Sequence, residues 1–230
     1  MWLSYAAHMD RDLWTRVDDY LSRTLVPDDV RFTEALAASD AAGLPAIQVS
    51  PNQGRFLEIL ARSLGTRAIL ELGTLGGYST LWLARGLVPG GKLITLEAEP
   101  RHAAVAQATF ARAGVSDIIS IRVGPAIATL PKLVAEGAGP FDLIFIDADK
   151  PSLPDYFQWS LRLARPGTVI VVDNVVRDGE VASAASADPS VQGVRRMNTL
   201  IAAEPRVIAT AIQTVGSKGY DGFAFVLVER

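Results

Sequence analysis

Three oxygen-bearing side chains close two apolar runs. Asp147 follows the run Leu143 to Ile146, and Asp173 with Asn174 follows the run Thr168 to Val172. If the runs are neighbouring strands, Asp147, Asp173 and Asn174 converge at one sheet edge and offer only oxygen donors. Hard divalent cations prefer that set, Mg²⁺ above all, with Mn²⁺ or Ca²⁺ as the other candidates. Three protein ligands leave places for water and substrate, so such a site is open and catalytic in style. A lone aspartate at a strand end more often caps the next helix, and Asp173 with Asn174 could form a turn, but three at one edge point to a metal. Lys150 stands just beyond Asp147. Beside a divalent cation an ammonium is disfavoured, and its pKa falls from about 10.4 toward neutrality, where a general base works. That role depends on the metal.

A second constellation surrounds the run Ala68 to Leu72, which leads through Glu71, Gly73, Gly76 and Gly77 to Ser79 and a helix. Glycines at a strand's carboxyl end let the backbone approach a bound molecule, and the position is that of a nucleoside crevice. The spacing departs from G-x-G-x-x-G, and an acidic Glu71 sits poorly beside a pyrophosphate. It suits a cationic ligand better, and S-adenosylmethionine carries a sulfonium and an ammonium. Glu97 closes the next apolar run, 24 positions after Gly73, where a carboxylate can take both hydroxyls of a ribose. Glu97 identifies a ribose and leaves the cofactor open. The bland alternative is a tight turn at Gly76 and Gly77 beside a solvated acidic loop.

These residues need a sheet to hold them. Runs at 68–72, 93–96, 118–123, 143–146 and 168–172 are short and apolar, as buried parallel strands are. Helical spacing fills the segments between them, at 78–85, 101–113, 126–136 and 153–163. The alternation predicts an α/β fold, a doubly wound and mostly parallel sheet with helices on both faces. Val207 to Thr214 and Phe223 to Val228, joined by residues 215–222, predict a closing antiparallel hairpin. Before the first strand, Leu13, Val17, Tyr20 and Leu21, then Phe32, Leu36 and Ala37, then Phe56, Leu57, Leu60 and Leu64 mark three helices. The reading is a helical lid or dimerisation segment at 1–45 and a catalytic domain at 46–230. Residues 177–190 form a loop beside the active face before a helix at 191–203.

Composition limits the chemistry. Among 230 residues there is no cysteine, which excludes disulfides, a thiolate nucleophile and thiolate metal sites. The net charge of −3 lacks the positive field of a nucleic-acid binder. No run is long enough to span a membrane, and no export signal opens the chain, so a cytoplasmic protein is expected. His8 and His102 share no ligand or triad spacing. Trp2, Trp14, Trp82 and Trp159 fall mainly on helices and suit core or interface roles, with Trp2 and Trp14 also candidates for a substrate lid.

The ordered set of Glu71, Gly73, Thr74, Gly77, Tyr78, Ser79, Glu97, Asp147, Asp149, Lys150, Asp173, Asn174, Tyr220, Asp221 and Gly222 resembles the cation-dependent class I O-methyltransferases. That group includes catechol and caffeoyl-CoA O-methyltransferases, and the resemblance spans roughly residues 45–230. It implies the seven-stranded, Rossmann-like S-adenosylmethionine methyltransferase fold with added N-terminal helices. By the same resemblance Gly73, Gly77 and Ser79 hold the methionine end of the cofactor, with Glu71 nearby and Val49 covering it. Glu97 binds the ribose, and Ala126 borders the adenine. Asp147, Asp173 and Asn174 are the metal ligands in this likeness, and Lys150 is the base for a catechol-like substrate. A homodimer is also implied. Ala148 stands where the catechol enzyme has a histidine, as in the caffeoyl-CoA and bacterial branches. Leu153 replaces a tyrosine of the plant branch, although Tyr156 is present, and Ala126 replaces a serine. These departures weaken any transfer of substrate identity.

Three rivals stand beside it. An NAD-dependent oxidoreductase shares the glycine loop and Glu97 but leaves Asp147, Asp173 and Asn174 without a purpose. A cofactor-binding protein without catalysis is disfavoured by the intact Asp147, Lys150, Asp173 and Asn174. RNA methylation is disfavoured by the charge. The acceptor is a small phenol whose pocket is expected to draw on residues 1–45 and 177–190.

Overall fold

The computed structural model describes the backbone of residues 2–230 and the side chains of residues 11–230. Trp2 and His8 therefore lie outside the described side chains. Three helices come first: α1 (Trp2–Leu25), α2 (Val30–Ala41) and α3 (Pro51–Leu64). Asp29 caps α2 by accepting from the Arg31 N–H. Ser50 caps α3 by accepting from the Gln53 N–H, and Pro51 follows at the first helical position. Each such cap contributes about 1 kcal/mol.

Strand and helix then alternate. The elements are β1 (Ala68–Leu72), α4 (Tyr78–Gly86), β2 (Lys92–Glu97), α5 (Pro100–Arg112) and β3 (Ile119–Val123). They continue with α6 (Ala126–Ala135), β4 (Leu143–Ile146), α7 (Leu153–Arg162), β5 (Val169–Asp173) and α8 (Pro189–Ala203). The chain ends in β6 (Val207–Gly216) and β7 (Gly219–Val228). One seven-stranded sheet has the order β3-β2-β1-β4-β5-β7-β6. The first five strands are parallel, and β7 runs antiparallel to both β5 and β6. The expected fold class is the observed one.

Alternation along each central strand feeds two cores. Leu70, Leu72, Ile144, Ile146, Ile170 and Val172 pack against α6, α7 and α8. Their neighbours Ile69, Leu143, Phe145, Val169 and Val171 pack on the other face, against α2 to α5. On that face Phe32 of α2 stacks on Trp82 of α4, with ring centroids 3.7 Å apart. Strands buried on both faces must be apolar throughout, which explains their unbroken runs. The chain leaves β1 to one side for β2 and returns on the other for β4. Between β1 and β4 lies the switch point where an open α/β sheet has its ligand crevice.

One expectation changes. The closing hairpin has no eight-residue loop: β6 and β7 pair continuously to a tight turn at Ser217 and Lys218, because Gly219 takes the left-handed φ of +93° that closes it. The stripe that marked α1 as a helix is exposed at Leu13, Val17 and Tyr20. No helix among the described residues is long and apolar enough to cross a membrane.

Candidate active site

A cavity of about 540 Å³ opens over the carboxyl ends of the central strands. Val49, Gly73, Ser79, Glu97, Ala126, Asp147, Lys150 and Asn174 all line it, so residues spread over more than half the chain share one wall. Glu71, Gly77 and Asp173 stand just behind that wall and act on it through neighbours.

The acidic end is built from β4 and β5, which pair in parallel. Asp147 follows β4, and Asp173 is the last residue of β5. Asn174 comes next, in left-handed conformation at φ +57°, and its N–H donates to Asp173 Oδ1 at 2.8 Å. Gln53 of α3 donates to the other oxygen of Asp173 at 2.7 Å. Lys150 is 8% exposed, and its Nζ lies 3.0 Å from Asp147 Oδ1. Burial first, and then the charge of Asp147, push the Asp173 carboxyl well above the usual carboxylate range. Two carboxylates forced together out of water call for positive charge, and Lys150 supplies only part of it.

The donors fit a hard divalent cation. They are two carboxylates and a carboxamide oxygen, Asp147 and Asn174 on the cavity wall and Asp173 just behind it. Among the described residues no group of three or more carboxylate or imidazole side chains converges, so the protein makes no closed cage. Any ion held here keeps places for water and for a ligand.

The opposite end is built from the β1 and β2 loops. Glu97 Oε2 accepts from the Leu75 N–H at 2.7 Å and from the Thr74 N–H at 3.1 Å, and Oε1 accepts from the Glu99 N–H at 3.0 Å. Three backbone donors fix the carboxylate, and its remaining lone pairs suit ribose hydroxyls. Gly73 has a φ of +98°, and a Cβ there would strike the carbonyl oxygen of Asp147. That close approach lets the β1 loop pack on β4, and only glycine allows it. Gly77 is the turn that starts α4, closed over the ring of Phe110 rather than facing the cavity.

Glu71 is wholly buried and takes hydroxyl donors from Ser79, Thr80 and Thr95. Burial pushes its carboxyl up to about 7, against the pull of those hydroxyls. Its bond to Ser79 at 2.6 Å orients a residue that does face the cavity.

Several wall residues have no motif to announce them. Leu36 and Ser39 arrive on α2, and Ile47 and Gln48 on the segment after it. His102, which has no ligand or triad spacing in the sequence, lines the cavity with its Nδ1 3.5 Å from Glu97 Oε1. A signal existed: His102 falls in the first turn of a helix that begins just after Glu97. Tyr156 also lines the cavity and donates to Asp149; burial first, and then that carboxylate, raise its phenol and keep it neutral. Arg177 is a further wall residue, three positions past Asn174. Its loop is held from β7, where Asp221 Oδ1 accepts from the N–H groups of Val176 and Arg177 at 2.9 and 3.0 Å. Trp82 is core, and Trp159 lies under the Arg162 guanidinium.

The architecture has close counterparts. A family model described as O-methyltransferase matches residues 28–226. The chain is similar to a catechol O-methyltransferase of Niastella koreensis, 54% identical over 96% of this chain and 100% of that one. A solved O-methyltransferase from Bacillus cereus, in complex with SAH, is 56% identical and superposes with a TM-score of 0.94, covering 95% of this chain and 99% of that one. The O-methyltransferase TomG of Streptomyces achromogenes, involved in tomaymycin synthesis and solved with SAM, is 47% identical with a TM-score of 0.92. It covers 96% of this chain and 99% of its own. The likeness therefore extends through the N-terminal helices, beyond the span from residue 45 expected from motifs alone, because α2 forms part of the cavity.

Proposed function

The chain belongs to the O-methyltransferase family, and on that premise we propose that it is a cytoplasmic enzyme moving a methyl group from S-adenosylmethionine to one hydroxyl of a vicinal diphenol. Asp147, Asp173 and Asn174 would hold a divalent cation, Mg²⁺ first, and Lys150 would be the general base. One observation carries this reading: the Lys150–Asp147 pair and Asn174 share a cavity wall with Glu97 and the β1 loop. The cofactor is supported by the names of two structural relatives solved with SAH and SAM.

When bound, the cofactor supplies an electrophilic methyl group on a sulfonium, and a divalent cation supplies charge that lowers the pKa of a coordinated phenol from about 10. The chain's own residues do the rest. Glu97 takes the ribose hydroxyls. Ser79, oriented by Glu71, faces the methionine end, and Val49 and Ala126 cover the cofactor. Lys150, as the neutral amine, would take the phenolic proton onto Nζ and leave the oxygen as the nucleophile, and Asp147 would hold the ammonium that forms. Tyr156, kept neutral, donates and does not compete as a base. Orientation and electrostatics are the protein's contribution, since the cofactor is already reactive.

The experiment is transfer from labelled S-adenosylmethionine to catechol and to phenol, with Mg²⁺ and with excess chelator. Methylation of the diol alone, lost on chelation, is the expected result. Activity that survives the chelator removes the metal from the mechanism and returns Asp173 and Asn174 to a structural turn. Retention of adenosylhomocysteine rather than NADH separates this reading from the oxidoreductase rival.

A homodimer is part of the same proposal. Ile208, Ile212 and Val215 are exposed on β6, an edge strand of ten residues, and α1 beside it exposes Leu13, Val17 and Tyr20. An apolar edge of that length needs cover. Light scattering that returns one chain's mass, 24.6 kDa, at micromolar concentration excludes the dimer.

A further inference from the structure

We propose that Arg177 selects acceptors whose diphenol ring carries a carboxylate, and that this guanidinium pairs with it. The inference rests on the methyl-transfer reading of the cavity and adds the acceptor's chemical class.

The cavity wall is acidic. Glu97, Asp147 and Asp149 line it, with Glu71 and Asp173 behind. Its lysine, Lys150, is bonded to Asp147, and the His102 ring sits against Glu97. Arg177 is the one arginine on the wall. Among the described residues its side chain makes no ion pair, and its Nε is shut off from water with no hydrogen-bond partner. The guanidinium has no counter-charge, and an incoming anion would supply one at the Nη groups, the end of the fork that the sealed Nε leaves for a ligand. A carboxylate matches its planar fork with two parallel hydrogen bonds, which a neutral substituent cannot do.

The backbone is held for this purpose. Arg177 and Asp178 both have left-handed conformations, φ +56° and +54°, which side-chain-bearing residues rarely adopt. Strain of that kind persists only where the surroundings impose it, and it gathers at ligand sites. Here the clamp is Asp221, which takes the Val176 and Arg177 N–H groups. The Tyr220, Asp221 and Gly222 motif thus has a task that the chemistry at Lys150 does not use.

The position favours the acceptor over the cofactor. Arg177 follows β5, whereas Glu97 and Ala126 follow β2 and β3, across β1 and β4 in the sheet order. At about 4.8 Å per strand, β5 stands roughly 10 Å from β1 and 15 Å from β2. Arg177 instead shares its segment with Asn174, at the end where the diol would sit.

The test compares 3,4-dihydroxybenzoate with neutral 4-methylcatechol in the full chain, using wild type, Arg177→Gln and Arg177→Lys. The readout is the ratio of their kcat/KM values. Wild type should favour the benzoate, Arg177→Gln should lower the ratio roughly tenfold or more, and Arg177→Lys should recover part of it. A merely structural role lowers both substrates together and leaves the ratio where it was, which overturns the proposal. So does a wild type indifferent to the carboxylate, or a variant whose only defect is a raised KM for S-adenosylmethionine. If wild type methylates neither diol, calorimetry of 3,4-dihydroxybenzoate with S-adenosylhomocysteine present still decides. Binding that weakens tenfold in Arg177→Gln keeps the carboxylate site while the reaction reading fails; absent or unaltered binding rejects the site as well.

Discussion

Gln53 Nε2 donates to Asp173 Oδ2 at 2.7 Å, a bond that joins α3 to the end of β5 across 120 positions of sequence. It holds one oxygen of Asp173, so Gln53 is a positioning residue for the acidic end of the cavity. Second-sphere partners of this kind typically change metal affinity 10- to 100-fold. Gln53→Ala should raise the Mg²⁺ concentration for half-maximal activity by about tenfold, with full activity returning at saturating metal. An unchanged Mg²⁺ titration would remove Gln53 from the site.

Lys150 is nearly buried and bonded to Asp147, so its replacement should be felt in the chemical step rather than in cofactor binding. Lys150→Met is expected to lower kcat by roughly 100-fold or more, the usual worth of a general base. S-adenosylhomocysteine affinity, measured by calorimetry, should stay within about twofold. A kcat near wild type would show that bulk water takes the proton.

Asp221 anchors the loop that carries Asn174 and Arg177 through charge-assisted bonds to two backbone N–H groups. Asp221→Ala should cost about 2 kcal/mol of stability in a urea melt, within the range for hydrogen bonds to a charged group. The KM for the diol should rise more than the KM for the cofactor, because the loop flanks the acceptor end. Equal effects on both constants would mean that the change is global.

Asp29 ties α2 to α4 by meeting Arg31 and, at 2.8 Å, Arg85. The hydrogen bond from Arg31 is the largest influence that holds its pKa down to about 2, below the unfolded value near 3.8. A carboxyl with a depressed folded pKa contributes stability above the unfolded value and loses it as pH falls through the folded one. Asn still caps a helix, so Asp29→Asn isolates the charge. Its Tm deficit should be full at pH 6, shrink below pH 4 and vanish only below about pH 2, and weaken in high salt. A deficit that does not change with pH would assign the effect to the cap alone.

At Gly73 the β1 loop runs against the Asp147 carbonyl that follows β4. Gly73→Ala combines a φ of +98° with a collision against the Asp147 carbonyl, so it should be destabilising by more than about 2 kcal/mol and abolish cofactor binding. Normal binding of S-adenosylhomocysteine by this variant would show that the loop can open without loss.

The sequence by itself determined the layers and the order of the strands' functional ends. Apolar runs at 68–72, 143–146 and 168–172 could be buried only as central strands, and parallel strands put Glu97, Asp147 and Asp173 on one edge whatever the loops do. That is local information: a period of two or 3.6 residues and the residue that ends each run. Only the tertiary structure decided what braces those ends. Gln53 on Asp173, Asp221 on Val176 and α2 against the cavity are contacts between segments with no shared spacing, and their cost and benefit appear only once the sheet brings them together. The exposed stripe on α1 makes the same point in reverse. Its period marks a helix, but whether that face is buried lies outside the period, and beside β6 it is left exposed.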